Sequence, residues 1–135
     1  MKNKLVLRKN VKKEDTWNLS LLYKNDSEFE SDFKKMEKFS KEAKKFKGNL
    51  SKSAKDLKNI LDSIMKASII LEKLGSYAFL KQTEDLTNND SNIKAARFAK
   101  LSSELSANLS YFEPELMGIE DEKMKMFLKD ESLKE

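Results

Sequence analysis

Apolar residues return at every third or fourth position along three long stretches of the chain, the spacing that gathers them on one side of an α-helix. The longest stretch runs from Ser53 to Lys81, where Leu57, Ile60, Leu61, Ile64, Ala67, Leu71, Leu74 and Ala78 form one broad stripe. Ser53 is placed to cap the first turn, with Asp56 three residues on as the acid of a capping box. Toward its far end the side chains shrink to Ser68, Gly75 and Ala78. Glycine inside a helix costs about 1 kcal/mol relative to alanine, so Gly75 predicts either the close approach of a second helix or a bend.

The other helices are predicted around this one. A helix near 28–47 carries Phe29, Phe33, Met36, Phe39, Ala43 and Phe46 inward, opens on a Ser27/Glu30 capping box and stops at Gly48 and Asn49. Only residues 49–52 separate it from the helix at 53–81, so the two form an antiparallel hairpin. Residues 82–90 are polar and nonperiodic, a loop. A third helix at 92–112, capped by Asp90 or Ser91, turns Ala95, Phe98, Leu101, Leu105, Leu109 and Phe112 inward. Beside them Ala96, Ala99 and Ser102 make a narrow shoulder suited to the small end of the central helix. Pro114 to Met117 gives a short turn ended by Gly118, and 122–129 gives a last amphipathic helix with Met124, Phe127 and Leu128 inward. Leu133 reads as the opening of a further helix.

Ahead of these, residues 1–14 are rich in Lys and Asn with a short β-prone run at Leu5–Leu7, and are predicted to form an extended N-terminal arm. Asp15 and Thr16 offer an N-cap to a short helical turn bearing Trp17, Leu19, Leu22 and Tyr23. A buried Trp17 would pin the arm to the helices, a contact worth on the order of 3 kcal/mol or more on truncation to alanine. The expected fold class is therefore all-α, with residues 15–135 as one helical domain. It is an antiparallel helical bundle or hairpin array of three long helices plus short helical segments. With the pattern still open at residue 135, it is expected to be an incomplete lobe of a larger helical protein.

Composition narrows the chemistry. A chain of 135 residues suffices for one domain, and 37% charged residues with one Pro and three Gly suit helices rather than a many-stranded sheet. The absence of Cys removes disulfides, thiolate nucleophiles and Cys-based zinc sites, and makes a cytoplasmic setting the expectation. Leu5–Leu7 is stopped by Arg8, far short of a signal-peptide core. No segment approaches the roughly 18 to 20 apolar residues that cross a bilayer, so no membrane partner is expected. The net charge of +4 does not amount to a nucleic-acid signature, because Lys and acids interleave and Arg8 and Arg97 are the only arginines. Lys34, Lys38, Lys41 and Lys45 form one basic stripe, which reads as a solvated helix face; the alternative is a self-contained helical interaction module whose stripe docks an acidic partner.

There is no histidine, which excludes a Ser-His-Asp triad and a His-based metal site in this chain. Carboxylates are densest at Glu113, Glu115, Glu120, Asp121 and Glu122. Paired carboxylates can divide acid and base roles or bind a hard cation, but their spacing fits no metal loop, and acids at helix starts account for them. Tyr77, Tyr111 and Phe112 fall on core positions. No catalytic, metal-ligating or substrate-binding residue is assigned.

The order of short motifs carries a resemblance. Arg8, then Asp15-Thr16-Trp17-Asn18-Leu19-Ser20-x-Leu22-Tyr23, Phe46-Lys47-Gly48-x-Leu50, Leu71-Glu72-Lys73-Leu74-Gly75-Ser76-Tyr77-Ala78 and Tyr111-Phe112-x-Pro114-Glu115-Leu116 resembles the N-terminal region of oligoendopeptidase F. That family lies among the thimet-oligopeptidase-like zinc metallopeptidases. The resemblance implies an all-helical, bi-lobed enzyme that cleaves oligopeptides in a deep channel, with zinc held by a His-Glu-x-x-His helix and a further Glu. Those residues belong to a region downstream of the part matched here, so none transfers to this chain. The expectations that follow are an inert piece of the lobe lining the channel, zinc in a missing C-terminal catalytic domain, that domain and oligopeptides as partners, and self-association through exposed apolar faces.

Overall fold

The computed structural model describes residues 6–134. Five α-helices follow one another: α1 (Asp26–Ala43), α2 (Ala54–Glu84), α3 (Asn89–Asn108), α4 (Phe112–Met117) and α5 (Asp121–Lys129). Tight 3-10 turns precede α1 at Arg8–Asn10, Lys13–Asp15 and Leu19–Leu21, extend it at Lys44–Phe46, and follow α5 at Glu131–Leu133. Among the described residues there is no strand. Residues 1–5 of the predicted arm and Glu135 lie outside the described residues.

The 31 residues of α2 are long enough to serve two cores. Its C-terminal half packs with α1 and α3, where Ala67, Leu74, Tyr77 and Ala78 meet Phe29, Phe33, Met36, Leu101 and Leu105. Its N-terminal half holds a second core, in which Ala54, Leu57 and Ile60 meet Leu50, Ile119 and Phe127. Burying side chains of this size contributes about 1.5–3 kcal/mol each, so α2 is the shared wall that joins the three-helix bundle to the α4–α5 segment. Leu133, expected to open a further helix, lies in the closing 3-10 turn and packs half-buried against the second core.

Helix ends follow the side-chain acceptors. Ser53 Oγ accepts from the Asp56 amide at 3.0 Å and its hydroxyl donates to the Asp56 carboxylate at 2.6 Å. α1 begins earlier than its predicted 28, because Asn25, with extended backbone, accepts from the Glu28 amide at 3.0 Å while Glu28 accepts from Lys24 N. Glu30 is thereby freed for another partner. α3 likewise starts at Asn89 rather than 92, since Asn88 Oδ1 accepts from Ser91 N at 2.9 Å. With α2 running on to Glu84, the predicted loop 82–90 contracts to residues 85–88. Gly48 sits at φ +78, the left-handed conformation that favours glycine, where the chain turns from α1 toward α2.

Three packing expectations fail. Trp17 is 71% exposed and pins nothing. The N-terminal segment is held instead by buried Leu19 and Tyr23 and by Arg8, whose guanidinium donates to Glu84 at 2.7 Å. Gly75 admits not a shoulder of small residues but the ring of Phe98: a Cβ there would stand 2.6 Å from Phe98 Cζ. Ala96 and Ala99 face solvent and Ser102 is only half-buried. Leu128, placed inward by pattern, is 61% exposed, because α5 contributes Phe127 and half-buried Met124 as its inner contacts.

Candidate functional site

The motifs that carry the resemblance meet one another in space. Tyr23 sets its ring edge-on against Tyr77, centroids 5.2 Å apart, and against Phe29 at 5.6 Å. Lys73 Nζ lies 4.1 Å over the Tyr23 ring. The Tyr23 hydroxyl donates to Asp32 Oδ2 at 3.0 Å. Burial pushes the Tyr23 phenol well above its ordinary value, and the Asp32 bond pushes it further. Burial raises Asp32 too, but hydrogen bonds from Lys35 and Tyr23 outweigh it and hold the carboxyl below its usual range. Burial also raises Tyr77 and Tyr111. These phenols stay protonated at neutral pH; Tyr23 and Tyr111 serve as hydrogen-bond donors and Tyr77 as packing surface, none as a base.

The second pairing joins residues 46–50 to residues 111–116. Glu115 accepts from the Gly48 amide at 2.7 Å and from the Leu50 amide at 3.0 Å, one carboxylate oxygen to each. Tyr111 Oη donates to the Ala43 carbonyl at 2.5 Å. The turn after α1 is thereby clamped to the start of α4. This role for Glu115 is not visible in the sequence, because its partners lie 65 and 67 residues away.

The remaining carboxylates of the acidic group are not gathered into a site. Glu113 lies with Glu115 in the first turn of α4, Asp121 and Glu122 lie in the first turn of α5, and Glu120 sits just before it. All but Glu115 are exposed, where acids complement the helix dipole. The residues of this chain do not fit a zinc ion. The sequence has neither His nor Cys, and among the described residues no three carboxylates converge on one point.

Lys34, Lys38, Lys41 and Lys45 are all exposed, and Glu42 stands 3.8 Å from Lys38. Both arginines are engaged within the fold. Arg97 makes a two-pronged bond to Glu30 at 2.6 and 2.9 Å and lies 4.3 Å over the Phe33 ring. That guanidinium holds the Glu30 carboxyl below its ordinary value. A depression of about 260 Å³ at the turn into α2 is lined by Asn49, Lys52, Asp56 and Asn59 among others. Its one carboxylate, Asp56, is already bonded to Ser53, so it offers no acid–base pair.

No protein-family model matches the chain. Against curated proteins it is 29% identical over 131 residues to an oligoendopeptidase F homolog of Borreliella burgdorferi, covering 97% of this chain and 22% of that protein. It is 29% identical over 133 residues to the oligopeptidase PepF of Bacillus subtilis, covering 98% of this chain and 20% of that one. Among solved structures, oligoendopeptidase-F from Enterococcus faecium superposes with a TM-score of 0.70 at 28% identity, over 78% of this chain and 21% of that chain. The chain is therefore similar to oligoendopeptidase F over nearly its whole length, and it spans about a fifth of the length of the curated relatives it matches.

Proposed function

We propose that this chain is the N-terminal part of an oligoendopeptidase F-like zinc metallopeptidase that hydrolyses oligopeptides. Within that protein it forms part of the lobe lining the substrate channel, and it contributes neither a catalytic residue nor a metal ligand. The observation that carries the reading is the match to an oligoendopeptidase F homolog over 97% of the chain but only 22% of the relative. It is joined by the absence of His and Cys, which leaves the chain without imidazole or thiolate ligands for zinc. Zinc and the oligopeptide are assigned to the catalytic domain that completes the protein, in the cytoplasm. Among the described residues no helix is long and apolar enough to cross a membrane, which suits this assignment.

The test is a fluorogenic oligopeptide assay with added zinc, run on the 135-residue chain and on the full-length protein that contains it. The chain is expected to give no turnover above buffer, and the full-length protein to give turnover abolished by a chelator. Turnover that copurifies with the 135-residue chain, or a full-length protein without chelator-sensitive activity, overturns the proposal.

A further inference from the structure

α2 carries large apolar side chains on two opposite sides. Leu57, Ile60 and Leu74 face the two cores, yet on the opposite side Met65, Ile69 and Phe79 are 65, 67 and 63% exposed. Positions 65, 69, 72, 76 and 79 step by four, three, four and three, one straight line along the helix, with Glu72 and Ser76 as its polar members. Apolar residues on two opposite sides of one helix suit packing on both of those sides. Among the described residues no helix is long and apolar enough to cross a membrane, and the polar members of the line, Glu72 and Ser76, suit a protein covering better than lipid.

We propose that Met65, Ile69 and Phe79 form the seat on which the remainder of a longer oligoendopeptidase F-like chain lays an apolar helix, so that α2 is enclosed in the complete protein. The proposal rests on the reading of this chain as part of such a protein. Two considerations select that occupant over a second copy. The matched relatives are about five times as long as this chain, so most of their surface-covering polypeptide lies outside the matched part. The stripe is also small: three side chains about two-thirds exposed offer on the order of 400 Å², taking about 200 Å² for a whole large side chain. That is half of the roughly 800 Å² per partner of a standard interface between separate molecules. Contacts within one chain face no such threshold, because association entropy is not lost again. The occupant spans about 21 Å from Met65 to Phe79, some four turns of helix. An occupant with small or branched apolar residues against the three side chains, and a cation or hydrogen-bond donor opposite Glu72, would fit the line.

Oxidative footprinting tests this without altering the fold. Met65 sulfoxide and Phe79 hydroxylation are followed by mass spectrometry under dilute peroxide and hydroxyl radicals. The full-length protein is compared with the 135-residue chain at low concentration, both normalised to an added methionine peptide. The proposal expects both residues to react about tenfold or more slowly in the full-length protein. Equal reactivity, in a full-length protein that is an active peptidase, overturns the inference and leaves the functional reading standing. A full-length protein of only 135 residues overturns both. Protection in the short chain that rises with its concentration, absent from the full-length protein, overturns the inference in favour of a second copy.

Discussion

Glu115 shows how one side chain can hold two elements together. Its carboxylate accepts from two backbone amides across the α1–α2 turn, and hydrogen bonds to charged groups are worth about 1.5–3 kcal/mol. Glu115→Ala is expected to lower the urea-unfolding free energy by about 2 kcal/mol. Glu115→Gln, which keeps one acceptor oxygen, is expected to lose less. Gly75 carries a different constraint. Alanine there gains about 1 kcal/mol of helix propensity but sets its Cβ against Phe98, and overpacking costs about 1–3 kcal/mol. Gly75→Ala should destabilise by about 1 kcal/mol net, and a smaller residue at Phe98 should reduce the loss, as a double-mutant cycle would reveal. Trp17, by contrast, is exposed. Trp17→Ala should leave stability within about 0.5 kcal/mol, and its fluorescence should be that of a solvated indole. Apolar type alone could not separate Trp17 from Leu19 and Tyr23: both of these find partners on α1 and α2, contacts that are long-range and leave no mark on the local pattern.

Among the elements, α2 was the most legible. Its periodicity, its Ser53 cap and its core-facing stripe follow from local rules, and the structure bears out the all-helical class. The ends of α1 and α3 were less so, because Asn25 and Asn88 compete with nearby Ser and Asp residues of equal capping strength. The helix-to-helix ion pair between Arg97 and Glu30 was equally hidden, since its members are 67 residues apart. That pair gives the α1–α3 contact a pH dependence. Glu30 is held below its ordinary pKa by Arg97, so the stability it contributes is fully present above the unfolded value, about 4.3. It is lost as pH falls through the lowered folded value. Acid unfolding below about pH 4 should become shallower in Glu30→Gln, which removes that proton uptake.

At the scale of the whole molecule, two cores on opposite halves of one helix make a lobe in which α2 leaves Met65, Ile69 and Phe79 exposed on its outer side. The negative part of the site, no imidazole and no thiol, was readable by counting. The pairing of the resemblance motifs was not, because order along the chain does not tell which segments touch. Tyr23 with Tyr77 and Gly48 with Glu115 join segments far apart in sequence. These contacts give the motif residues a structural reason that stands without any chemistry of their own. The central claim, that this lobe is one part of a larger peptidase, is tested most directly by the mass of the polypeptide that carries it in the cell. An antibody against the 135 residues should capture, for intact-mass measurement, a protein roughly five times their 15.6 kDa, as matches over about a fifth of the relatives' length imply. Capture of a 15.6 kDa species alone would contradict it.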